Sequence, residues 1–146
     1  MRAVDTKILA RFYVEDEGDG QATRQRQIAR RVMEDSPALF VPKTVVLELE
    51  WVMRGFYRFA PGAIADALEH LLGLPHVTVE DHESVEAALK YMRLGLDFAD
   101  ALHLAASRSC TELLTFDTRR VAARATRLGL RPACTVPAPR SRKAPS

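Results

Sequence analysis

Short apolar runs alternate with longer amphipathic ones along most of this chain. Residues 2–5 (RAVD), 38–42 (ALFVP), 76–80 (HVTVE) and 112–117 (ELLTFD) read as strands, and 131–136 (RPACTV) as a weaker fifth. A helical pattern follows each of the first four, as crossovers between parallel strands require. The expected fold class is therefore α/β, with a central parallel sheet of four to five strands flanked by helices. GDG at 18–20 marks a loop before a charged helix over 21–34. APG at 60–62 opens another helix, which ends near GLP at 73–75.

At 146 residues, with 47% apolar and 27% charged, the chain has the composition of one globular domain. Its boundary is set at 136. Residues 137–146 are rich in proline and basic side chains, cannot bury a core, and are expected to be disordered. No run near the start is apolar enough for a signal peptide or membrane anchor, and the expected location is the cytoplasm. Cys110 and Cys134 carry no metal-ligand spacing and read as buried free thiols. A net charge of +2 permits a polyanionic partner without requiring one.

Candidate chemistry lies in the acids. Asp5 and Asp117 close the first and fourth strands, at the sheet edge where open α/β folds bind ligands. Cap and turn chemistry accounts for either one alone. In the helix after strand two, Val45, Leu49, Val52 and Phe56 form one apolar arc at 100° per residue. That projection puts Glu48 beside the arc, where helix meets sheet, and makes Glu50 an ordinary solvated side chain. Leu47 and Trp51 fall on the far side of this helix, as a partner surface would. In DFADALHLAA, Asp97, Asp100, His103 and Ser107 share one face, opposite Phe98, Leu102, Ala105 and Ala106. Asp97 also fits an N-cap, with Asp100 in the first turn.

Four carboxylates gathered at one rim would repel one another. At ~5 Å and an effective dielectric near ~20, each pair costs about 3 kcal/mol before screening. Either their pKa values rise or a divalent cation neutralises them. An all-oxygen set without thiolate or imidazole suits Mg²⁺ or Mn²⁺ better than zinc.

AVDTKIL, VVLELEWVMR, DFADALHLAA and LLTFDTRR, in this order, resemble the PIN-domain nucleases, and more closely the VapC-type toxins of toxin–antitoxin pairs. The resemblance spans residues 1–136. It implies a single PIN-like domain and an Mg²⁺-dependent endoribonuclease that hydrolyses RNA phosphodiester bonds with metal-activated water. Asp5, Glu48, Asp100 and Asp117 then match the catalytic, metal-holding acids, with Asp97 as an accessory acid and Thr6 and Thr115 as supporting hydroxyls. Arg119 and Arg120 are candidates for RNA phosphate contacts. A homodimer and a cognate VapB-like antitoxin are implied as partners. The family usually reads DTN where this chain has Lys7, which could pair with a carboxylate, compete with the cation or contact phosphate. The alternative reading is a catalytically weakened PIN-like module that binds RNA or protein. Phosphatase and receiver-domain patterns fit poorly, because Lys7 and Arg119 stand where those folds need an acid and a lysine.

Overall fold

A computed structural model of the chain describes residues 1–16 and 18–139. The expected disordered tail lies, from 140 onward, outside the described residues.

Five strands appear where sequence periodicity placed them, each shorter than its apolar run. They are β1 (Arg2–Ala3), β2 (Leu39–Val41), β3 (Val77–Val79), β4 (Glu112–Leu114) and β5 (Ala133–Thr135). The intervening helices are α1 (Thr6–Tyr13), α2 (Gly20–Asp35), α3 (Lys43–Trp51), α4 (Pro61–Gly73), α5 (His82–Arg93), α6 (Phe98–Ala106) and α7 (Arg124–Arg127). Two π-helical turns extend this set, Val52–Phe56 after α3 and Thr118–Ala123 before α7. All pairings are parallel, as expected of an α/β chain whose strands are separated by helices.

The strands hydrogen-bond in two groups. β1–β2–β3 form one sheet, with Arg2 opposite Leu39 and Leu39 opposite Val77, and β4–β5 form a second. The single continuous sheet anticipated from sequence is thus divided among the described residues. β1 is only two residues long and exposed, so it has few ladder groups to offer on a second side. Side chains span the division instead. Val121, Ala125 and Cys134 belong to the common core, and Arg124 donates to the carbonyl of Gly95 at 2.7 Å.

Leu39 and Val41 of the central strand are completely buried, packed among Leu9, Met33, Leu49, Met53, Ile64, Leu68, Leu89, Phe98 and Leu104. Each such side chain contributes roughly 1.5–3 kcal/mol on leaving water. This core holds α1, α3 and α6 in place, and these helices carry most of the candidate acids.

Local signals fix the entry to α6. Gly95 has φ +110°, its N–H donates to Met92, and the N–H of Leu96 reaches back to Tyr91. This is a Schellman-type stop for α5, and the left-handed position favours glycine. The chain leaves that turn directly into Asp97. No described helix is long and apolar enough to cross a membrane.

Candidate active site

Three of the predicted acids are helix caps. Asp5 accepts the Thr6 N–H at 2.7 Å at the start of α1. Asp97 accepts the Asp100 N–H at the long distance of 3.5 Å at the start of α6. Asp117 accepts the Arg120 N–H at 2.8 Å, while its own N–H donates to Thr115 Oγ1 at 3.0 Å. Capping orients each carboxylate and leaves acceptor capacity for another ligand. Thr6 and Thr115 thus both touch an acid or its backbone, and the Thr6 hydroxyl donates to Glu48.

Glu48 and Glu50 exchange the environments expected from sequence. Glu48 is exposed, whereas Glu50 is only 2% exposed and paired with Arg54, Nε to Oε2 at 3.1 Å. The buried face of α3 is Val45, Val46, Leu49 and Glu50, continued by Met53 in the π-helical turn, so Val45 and Leu49 are buried as expected while the arc does not run on through Val52 and Phe56. The π-helical turn adds to the error. Tyr57 N–H bonds to Val52 O, five residues back, which widens the turn and rotates Phe56 away from the core to 71% exposure. Glu48 is thus exposed rather than set at the helix–sheet junction, and its link to Thr6 is its distinguishing feature.

Asp100 is half-buried on α6, and its pKa is raised, first by burial and then by the negative field of Asp97. Asp117 pushes the same way, while His103 and Arg120 oppose the shift. Asp97, Asp100 and Asp117 therefore share one electrostatic neighbourhood. Asp5 and Glu48 form a second pair, bridged by Thr6 and facing a cavity of about 430 Å³ that also includes Lys7, Trp51 and Phe56. Among the described residues, no three His, Cys, Asp or Glu side chains stand close enough to hold one metal ion. The donor chemistry fits a hard divalent cation, and the spacing of the acids in this structure does not complete a cage for one.

Arg119 and Arg120 are exposed in the π-helical turn beginning one residue after Asp117, and His103 is exposed on α6. Cys134 is buried as expected, but Cys110 is exposed beyond α6, where the chain is irregular and no strand or helix covers it. Two features went unread in the sequence. One is the Glu50–Arg54 pair, on which Asp97 also acts by raising the Arg54 pKa behind the dominant Glu50 hydrogen bond. Its signal was the i, i+4 spacing in EWVMR. The other is the placing of Trp51, at 59% exposure, beside Asp5 and Glu48 rather than on a remote face.

The family model of the PIN domain matches residues 3–127. No curated protein matches the chain. Among solved structures, the chain is similar to VapC20 of Mycobacterium tuberculosis, a toxin that cleaves the sarcin–ricin loop. The identity is 19% and the TM-score 0.39, over 91% of this chain and 98% of that one.

Proposed function

Because the chain belongs to the PIN-domain family, with residues 3–127 matched, we propose that it is an Mg²⁺-dependent endoribonuclease, the toxin of a VapBC-type pair. The observation that carries this reading is Asp100. It is a carboxylate held in a position that disfavours its charge, with Asp97 and Asp117 adding to the repulsion. Such an arrangement suits a cation site better than a purely structural one.

In this reading Asp5, Glu48, Asp100 and Asp117 would hold Mg²⁺ or Mn²⁺ once the two groups of acids draw together around it, with Asp97 as an accessory acid. A bound divalent ion supplies charge neutralisation at the scissile phosphate and a more acidic water. The protein's own residues supply position. The caps aim Asp5, Asp97 and Asp117, Thr6 restrains Glu48, and Thr115 fixes the turn before Asp117. Arg119 and Arg120 offer cations to neighbouring phosphates. The VapC assignment rests on the four motifs in order, and it brings a VapB-like antitoxin, a homodimer and a cytoplasmic setting as proposed context.

Asp5→Asn and Asp100→Asn should each abolish Mg²⁺-dependent RNA cleavage while the far-UV circular dichroism stays unchanged. Undiminished cleavage by the double variant would remove these residues from the mechanism.

A second reading is favoured by Lys7, whose side chain lines the same cavity as Asp5 and Glu48. If its ammonium takes the place of the cation, the domain binds without cleaving. Calorimetric titration with Mn²⁺ separates the two readings. No heat at millimolar metal, restored by Lys7→Asn, supports the binding module.

A further inference from the structure

The cavity bordered by Asp5 and Glu48 contains more than acids. Trp51, 59% exposed, and Phe56, 71% exposed, both line it. Tyr57 also lines it, with its ring 4.8 Å from that of Phe56 in an edge-to-face arrangement at 82°. Next to the Trp51 indole stands Gly55, where even a Cβ would approach ring atom Cε2 to 3.8 Å. Arg11 also lines the cavity, but its guanidinium is occupied by Tyr57 Oη at 3.0 Å and by Gln25 at 2.9 Å. Lys7 is exposed and forms no ion pair among the described residues.

Two exposed aromatic rings, an exposed ammonium and two candidate catalytic carboxylates thus share one opening of about 430 Å³. That volume falls in the range of small-ligand sites, roughly 300–1,000 Å³. An apolar protein face is a poor occupant, because closing over Asp5, Glu48 and Lys7 would strip charged groups of water. A nucleotide of a single strand suits the aromatic and cationic walls. Its base offers a π-face to the aromatics, and its phosphate offers a partner to Lys7.

We propose that Trp51 and Phe56 form a base-stacking subsite, with Lys7 as its phosphate contact, that holds an unpaired nucleotide of RNA beside Asp5 and Glu48. The π-helical turn Val52–Phe56 builds the subsite by turning Phe56 out of the core. A base must leave a helical stack to enter, so the subsite selects single-stranded or looped RNA over duplex. The proposal takes its substrate from the nuclease reading and adds a specificity-determining element to it.

Trp51 is the only tryptophan in the chain, so its emission reports on this site alone. The test is titration of the Asp100→Asn protein with a short single-stranded oligoribonucleotide, in parallel with the same sequence as a duplex. Saturable quenching by the single strand, weak or absent with duplex, is the expected result. By fluorescence anisotropy of a labelled strand, Trp51→Ala should weaken binding about ten-fold and Trp51→Phe should restore most of it. Lys7→Ala should lower the slope of log affinity against log salt by about 0.7, one phosphate's worth. Both residues are exposed, and unchanged circular dichroism separates lost stacking from lost fold.

RNA cleavage by the native chain with no quenching and no effect of Trp51→Ala would overturn the subsite and leave the nuclease reading intact. Quenching without any cleavage by the native chain would sink the nuclease reading and leave the subsite standing. Emission that changes with protein concentration alone, and is indifferent to RNA, would overturn it in favour of a second copy of the chain covering Trp51.

Discussion

Thr6, the first residue of α1, donates from its hydroxyl to Oε1 of Glu48 on α3, 42 positions further along the chain. Thr6 is buried and Glu48 is exposed, so the bond ties a surface carboxylate to the edge of the core. Thr6→Val keeps the shape and removes the donor. It should cost about 1 kcal/mol of stability, seen in the urea midpoint, as befits a single hydrogen bond. RNA cleavage should fall further than that loss of folded protein explains, because Glu48 loses its restraint. Thr6→Ser should retain both properties. Equal activity in all three proteins would show that Glu48 needs no such partner.

Caps and charge can be separated at Asp97 and Asp117. Asparagine caps a helix about as well as aspartate, whereas alanine does not cap. Asp117→Ala should therefore destabilise the protein by about 1 kcal/mol and Asp117→Asn by much less. Both should reduce cleavage alike if the charge is what matters there. A variant pair whose activities follow their thermal midpoints would assign Asp117 a structural role only.

Glu50 is the most buried carboxylate in the described structure, and Arg54 is its partner, half exposed. Removing the arginine strands a charge away from water. Arg54→Ala should cost about 2 kcal/mol, below the value for a wholly buried pair because solvent still reaches the guanidinium site. Replacing both, with Glu50→Met and Arg54→Ala, should recover much of that loss. A double-mutant cycle by denaturant unfolding measures the coupling.

The pH dependence of stability should carry two opposite signatures. Asp81 is held down to about 2, first by the hydrogen bond from Lys43, at 3.0 Å, and then by Ser84. Its contribution is complete above its ordinary value of 3.8 and is lost as pH falls from there toward about 2. Asp81→Asn should flatten the acid limb in that window. Asp100 works the other way, because burial and Asp97 raise its pKa. The folded state is favoured below 3.8, and that advantage disappears as pH rises through the raised value. Asp100→Asn should therefore melt higher than the native chain at neutral pH, with the difference closing in acid. If added Mg²⁺ raises the midpoint of the native chain more than that of Asp100→Asn, the cation acts at this residue.

The strands and the α6 face were legible in sequence because their signals are local. Apolar runs of the right length sit between helical periods, and Asp97, Asp100 and His103 fall one helical turn apart with Phe98 and Leu102 opposite. The α3 face was not. A single 100° projection needs the correct axis, and continuing the arc from Val45 and Leu49 through Val52 and Phe56 exchanges Glu48 with Glu50. It also assumes unbroken α geometry, which the turn at Val52–Phe56 lacks. Burial of Glu50 depends on Arg54 reaching it, a pairwise fact that hydropathy does not encode. The grouping of the acids into Asp5 with Glu48, and Asp97 with Asp100 and Asp117, is a tertiary property of how α1, α3 and α6 pack.

Asp117 rides on the two-stranded unit of β4 and β5, which shares a core with the larger sheet but no ladder with it among the described residues. Peptide hydrogen bonds lock neighbouring strands to a fixed pitch, whereas interdigitated side chains behave more like a spring. Val121, Ala125 and Cys134, all buried in the common core, are the side chains through which the unit carrying Asp117 rests against the rest of the fold. Enlarging Ala125 by a few methyl groups would act as a shim, shifting one acid relative to the others while touching none of them.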